Sequence, residues 1–432
     1  MKRIDIFILF LIAGLSTHLH AQQTLGLSGA ITLALENNYD IRVIQLDESI
    51  SEKNNSWGQA GMLPSLDLSA SGTQSQSIDP DDDWTQQRGL GSATLSWTLF
   101  RGFSVWIQKA QLSQLEELSA GNTALLVEQT MQAVILAYYN VLLQNERLQV
   151  LDTVRQVSND RYTQVLEKKE IGALVTYDVL QAKNAWLEDE ARFLQQETTA
   201  RNAVRDLNYL MGISEDQSYA FTDPFELDWQ LYSLDLLRER MLADNRQLRN
   251  KFIQQQLLNS QVQLSKSAWS PSLSLRAGAE TSLTRSKTDI SDWADSDSRN
   301  AYGTLTLNWN LFNGGNRKRA IDIAKLDREI GEVEIASIEH SLSNRLAAQL
   351  DLYNVREKLL SISQEALETA ELNLQISEEK FKSGAINSFN FRDVQLIYLN
   401  AALGRLESIY RLIEAHTELL RLTGGIVSSY AQ

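Results

Sequence analysis

The chain has 432 residues with no cysteine, four histidines and a formal net charge of −15, from 55 acidic against 40 basic residues. Without cysteine, disulfides, thiolate metal sites and a lipid carried on an N-terminal Cys are not expected, and the acidity argues against nucleic acid, which binds basic surface. His18 and His20 fall in the leader described next, His340 and His416 stand alone in helical patterns, and no HExxH, GxSxG or phosphate-binding glycine loop occurs. No enzyme, metal site or cofactor is therefore expected.

In chain order, Lys2 and Arg3 precede an apolar run from Ile6 to Leu15, and small residues end at Ala21 before Gln22. This is the layout of a secretory signal peptide over residues 1–21, shorter than the roughly 20 apolar residues that span a bilayer. No later segment has the length or purity of a transmembrane helix, so any membrane crossing falls to strands. A helical pattern from Ser28 to Met62 stops before Pro64, as proline requires. A strand follows at about 65–74, with Leu66, Leu68 and Ala70 alternating with Asp67, Ser69 and Ser71. Past a polar spacer holding Pro80, a second strand at about 91–100 sets Leu95, Trp97 and Leu99 against Thr94, Ser96 and Thr98. From Gly102 to Gly172 one helical pattern runs unbroken, near 100 Å at about 1.5 Å per residue. Another helix reaches Met211, and Pro224 marks a connector.

The order then recurs. A helix from Ser233 to Trp269 stops before Pro271; strands follow at about 272–281 and 302–312, then helices from Gly314 to Gly384 and from Ile386 to Leu422. WTLFRGF at Trp97 and WNLFNGG at Trp309 lie 212 positions apart, and at that offset Gly102 meets Gly314, Gly172 meets Gly384, and Gly212 meets Gly424. Upstream the offset is 207, matching LPSLDLSASG at Leu63 with SPSLSLRAG at Ser270 and Asn38 with Asn245. The chain is thus two repeats, 22–223 and 224–432, with the length difference confined to one loop.

Each repeated phrase ends a strand and starts a long helix, so Phe100, Gly102, Phe312 and Gly314 are the strand-to-helix turns, with glycine giving the freedom to turn. The strands alone fit either a soluble sheet with one wet face or a membrane barrel. The helices carry apolar seams at three/four spacing: Val127, Met131, Val134, Tyr138 and Val141; Ile323, Leu326, Ile330 and Val333; Leu399, Leu403, Leu406, Tyr410 and Ile413. Such seams pack helices side by side. Four strands cannot close a barrel, and open edges in lipid leave backbone groups unpaired at several kcal/mol each, so several chains must share one wall.

The signal peptide, the duplicated P-S-L-x-L entry to a strand, the paired W-x-L-F-x-G exits and the two glycine-centred helix hairpins together resemble the TolC-like outer-membrane efflux proteins. The resemblance covers nearly all of the mature chain. It implies a mainly α fold with β: a long coiled-coil-like α-helical barrel in the periplasm, joined to an outer-membrane β-barrel with four strands per protomer in a homotrimer. It also implies a passive exit duct in contact with outer-membrane lipid, docked on a periplasmic adaptor protein and an inner-membrane pump.

By the same resemblance, Ile171, Gly172, Ala173 and Leu174, with Ser383, Gly384, Ala385 and Ile386, form the tips that meet the adaptor. Asp178 and Asp393 occupy acidic positions of the family's periplasmic aperture. Asn390 stands where Asp is typical and Ile386 where a basic residue is typical, so the usual gate bonds must be partly replaced; Tyr177, Phe389 and Arg392 are the candidates. A ring of Asp393 residues would favour cations at a constriction. The basic run Arg317, Lys318 and Arg319 reads either as a solvated helix start or as a contact for lipid phosphates. Polypeptide secretion through the same duct, and a pore-free coiled-coil envelope protein, are the alternative functions. The transported substrate is not legible, because such ducts leave selection to the pump.

Overall fold

The computed structural model describes residues 23–78, 83–226, 230–288 and 290–430. The expected signal peptide and Pro80 lie outside the described residues. In chain order the elements are β1 (Gln23–Leu25), α1 (Leu27–Asn37), α2 (Tyr39–Asn54), β2 (Ser65–Ser77), β3 (Trp84–Arg101), α3 (Ser104–Glu170), α4 (Thr176–Met211), β4 (Tyr219–Phe221), α5 (Leu234–Asp244), α6 (Arg246–Ser267), β5 (Ser272–Thr288), β6 (Ser291–Asn308), α7 (Asn316–Lys382), α8 (Ser388–Leu422) and α9 (Ile426–Tyr430). The fold is mainly helical, and its contacts divide it into two units.

One unit comprises Val43–Leu125 and Arg246–Ser341 and contains a four-stranded antiparallel sheet in the order β2-β3-β5-β6. The register draws the alternation of each strand into common faces. Leu66 lies opposite Leu95, Leu95 opposite Ala277, Leu275 opposite both Trp97 and Leu305, and Leu273 opposite Leu307. This apolar face is exposed: Leu68 keeps 80% of its surface and Leu307 68%. On the other face Ser69 and Ser92 share a hydroxyl hydrogen bond of 2.8 Å, and Asn300 donates to Glu280 at 3.2 Å. β2 and β6 each have a second edge with no strand against it among the described residues.

The strands are longer than the ten or so residues expected. Their outer halves, such as Gln74–Ser77 and Ser291–Ser298, carry few apolar side chains, so hydrophobic alternation does not mark them, although the backbone ladder continues to Ser77↔Trp84 and Thr288↔Ser291. At its other end the strand placed at about 302–312 stops at Asn308, opposite Ser272. The next residue on the side of the paired strand β5 is Pro271, which has no amide to donate. β3 reaches Arg101 against the same Ser272 through an irregularity between Thr98 and Phe100.

The tryptophan of each repeated phrase does equivalent work. Trp97 Nε1 donates to the Met62 carbonyl at 2.8 Å, and Trp309 Nε1 donates to the Trp269 carbonyl at 3.2 Å. Each indole thus ties a strand exit to the backbone two residues before Pro64 or Pro271. At the first exit Gly102 has φ +56°, and a Cβ there would lie 2.3 Å from the Ser267 carbonyl oxygen, so glycine is required twice over. Phe103 follows with φ 64° and meets Phe100 edge-on at 5.3 Å. At the second exit Gly314 has φ +67° but open space around it.

The other unit comprises the described residues up to Arg42, those between Leu126 and Asn245, and those from Leu342 onward. Its core joins Met131, Val134, Ile135 and Tyr138 of α3 to Ile31 and Ala34 of α1, Leu207 and Met211 of α4, and Ile409 and Ile413 of α8. The fully buried Tyr138 donates to the Leu25 carbonyl and to Asp223 Oδ2, and Asp223 also accepts from the Leu27 amide at 2.7 Å. Two of the expected helices are broken. Asn38 separates α1 from α2, and Asn245 separates α5 from α6. The Asn38 carboxamide accepts from the Asp40 and Ile41 amides and donates to the Leu210 carbonyl, replacing helical bonds with its own. Asn245 donates to the Leu422 carbonyl in the same manner.

Of the apolar seams, those through Met131–Val141 and Leu399–Ile413 are packed inside this unit. The third differs from expectation: Ile323, Leu326, Ile330 and Val333 are exposed, Val333 at 65%. Nothing within the described residues of the chain covers them.

Candidate functional site

The two hairpin tips are built by one device used twice. α3 ends with the Ala173 amide donating to the Lys168 carbonyl at 2.8 Å and the Gly172 amide to the Lys169 carbonyl at 2.9 Å; α7 ends with Ala385 on Lys380 at 2.8 Å and Gly384 on Phe381 at 3.1 Å. This is the Schellman closure, which needs a left-handed residue, and Gly172 and Gly384 supply φ +75° and +77°. The next helices start four residues after these glycines, at Thr176 and Ser388. Asn387 caps α8 by accepting from the Asn390 amide at 2.9 Å. At the matching place Val175 has no polar side chain, and Asp178 instead accepts from the Val175 amide at 3.2 Å. Asp178 thus closes the first turn of α4, where a carboxylate also suits the helix dipole.

The tips meet over a small core. Val165, Val179, Ala182, Phe381 and Phe391 are buried together, and Leu174 and Ile386 pack against them. The Phe381 and Phe391 rings stack at 5.1 Å, and Lys168 Nζ sits 4.9 Å from the Phe381 ring centre. Of the eight expected tip residues, Ile171, Gly172, Ala173, Ser383, Gly384 and Ala385 are exposed, whereas Leu174 and Ile386 are half-buried by this packing. Among the expected aperture residues, Tyr177, Asn390 and Asp393 are exposed and Asp178 is half-buried. Asp393 has no hydrogen-bond or ion-pair partner among the described residues, so within one chain its carboxylate is unspent.

Arg392, a candidate for replacing the usual gate bonds, is paired inside the chain. Its guanidinium makes a two-point contact with Asp189, at 2.5 Å and 2.8 Å. Asp189 is 1% exposed and also accepts from Ser158. Beside them Arg161, 3% exposed, donates to the Ser388 carbonyl at 3.3 Å while its Nε has no partner among the described residues. Burial, and then the neighbouring Arg392 charge, push the Arg161 guanidinium down to about 10. Two cations and one carboxylate therefore pin α3, α4 and α8 together next to the tips. Asp189 had a sequence signal: it falls on the seam of Val179, Ala182, Trp186 and Phe193, where a carboxylate needs a buried partner.

The model of the outer membrane efflux protein family matches residues 30–213 and again 237–425. The chain belongs to that family. Among its relatives, the probable efflux pump outer membrane protein TtgC of Pseudomonas putida is 21% identical over 417 residues, covering 91% of this chain and 82% of TtgC. The proteases secretion protein PrtF of Dickeya chrysanthemi is 20% identical over 419 residues, covering 94% and 89%. The outer membrane channel CmeC of Campylobacter jejuni superposes with a TM-score of 0.72 at 17% identity, over 92% of this chain and 85% of that one. The chain is thus an outer-membrane protein with the TolC-like fold, in a family of efflux proteins rather than enzymes.

Proposed function

We propose that three copies of this chain close one barrel of twelve strands in the outer membrane, and that their helices form a periplasmic tunnel serving as the passive exit duct of a tripartite efflux system. The observation that carries this reading is the four-stranded sheet with an exposed apolar face, a polar opposite face and two open edges. In lipid such edges require further strands, and sister copies supply them. The uncovered stripe of Ile323, Leu326, Ile330 and Val333 supports the same need for a neighbour along the helices. The two separate family matches support a division into repeats 22–223 and 224–432.

Small molecules enter from an inner-membrane pump through a periplasmic adaptor, which docks on the exposed tips around Gly172 and Gly384. Asp393 of each copy faces the aperture, with Asp178, Asn390 and Tyr177 around it. The likeness to PrtF supports a second reading, in which the same duct passes a polypeptide. The pore-free coiled-coil alternative has no use for an exposed apolar sheet face, and the family match speaks against it. The test is conductance of purified full-length protein in planar bilayers, with crosslinking to count copies. Steady currents from a crosslinked trimer are expected; a monomer that passes no current ends the proposal.

A further inference from the structure

The basic run after the second strand exit has no part in the duct, and its first member has a distinctive setting. Arg317 is 9% exposed, its guanidinium lies 5.3 Å from the Trp269 ring centre, and it donates to the Asn310 carbonyl. It lines a cavity of about 670 Å³ together with Arg101, Ser104, Gln108 and Trp309. No Asp or Glu is among the lining residues. Arg101 spends one donor on Thr98 Oγ1 at 3.3 Å. Ser104 is 3% exposed, and its hydroxyl has no partner among the described residues. A buried hydroxyl without a partner is unfavourable, and two guanidinium groups without a carboxylate attract an anion rich in acceptor oxygens.

The place of the cavity selects among such anions. It lies where β3 and β6 leave the sheet, just past the exposed Leu305 and Leu307 and beside the Trp309 indole. Indoles gather at the membrane–water interface, and cations there meet lipid phosphates. We propose that this cavity binds a phosphate group, supplied in the membrane by the headgroup of an anionic phospholipid. Arg101 and Arg317 hold the phosphate oxygens, and Ser104 gains its missing acceptor. The proposal rests on the reading that the four-stranded sheet lies in the membrane.

The test uses full-length protein in detergent, with phosphatidylglycerol or phosphatidylcholine added and bound lipid counted by native mass spectrometry. Phosphatidylglycerol is expected to be retained in preference, with roughly tenfold weaker retention in Arg317→Gln and in Arg101→Gln. Arg101 is exposed and outside the Trp269 contact, so its variant keeps the test valid if Arg317→Gln misfolds. In a second arm, inorganic phosphate is titrated against melting temperature; a rise lost in Arg101→Gln, without preferential lipid retention, assigns the site to free phosphate. Equal retention of both lipids, with no phosphate effect that Arg101→Gln removes, overturns the proposal. Wild-type conductance is independent of both arms, so the duct and the phosphate site fail separately.

Discussion

Replacing Asp189 with Ala removes the carboxylate that touches both ends of the Arg392 fork and leaves two arginines facing each other in a nearly closed site. Breaking a buried ion pair by deleting one partner costs about 3–5 kcal/mol, because the surviving charge is left desolvated. Glu188, already 3.8 Å from Arg392, offers partial compensation, so the lower end of about 3 kcal/mol applies. At about 1.4 kcal/mol per factor of ten, amide exchange in α8 around Arg392 should accelerate by roughly a hundredfold, with a smaller change in Asp189→Asn, which keeps one acceptor. The double variant Asp189→Leu with Arg392→Met should recover much of the loss. Hydrogen exchange read by mass spectrometry checks all three. If the Asp189→Ala segment exchanges at the wild-type rate, the ion pair does not hold α8 and the reasoning is wrong.

Gly102→Ala places a methyl group on the Ser267 carbonyl as well as straining φ, whereas Gly314→Ala meets nothing within 4 Å and bears only the left-handed cost of about 1–2 kcal/mol; melting temperature should fall much further for the first. His416 is pushed below its usual value of 6.5 by burial, so native protein resists its protonation. Its stability contribution is present above pH 6.5 and is lost as pH falls through the lower native value; His416→Phe should flatten that part of the acid melting curve. Asp393→Asn should weaken block of the bilayer current by multivalent cations from the tip side. An unchanged block would remove Asp393 from the aperture.

Much of this was legible because the chain states it twice. The 212-residue offset that pairs Gly172 with Gly384 and Gly212 with Gly424 marks four helix ends, and Gly212 and Gly424 have φ +67° and +69° with the same closure. Asn38 and Asn245 were visible as a pair, but their helix-breaking role was not: the apolar spacing resumes after each, and only the reach of the carboxamide to Leu210 or Leu422 reveals the break. The outer strand halves were hidden because a backbone ladder leaves no mark on polar side chains. Asp178 illustrates a different limit. A carboxylate six residues past a tip glycine suits an aperture, yet its spacing to Val175 equally makes it a cap, and its bond is to that amide.

The two bare margins of the sheet also bear on what happens to a newly exported subunit. If sister copies complete the wall as proposed, a subunit that has not yet met them carries two backbone templates, one along the 13 residues of β2 and one along the 18 of β6, each able to capture any extended peptide it meets. Under that proposal, encounter between copies is a safeguard against misassociation as well as a construction step. A subunit spoiled along a single margin would still join through the other, so a minority of defective copies would disable more assemblies than their share.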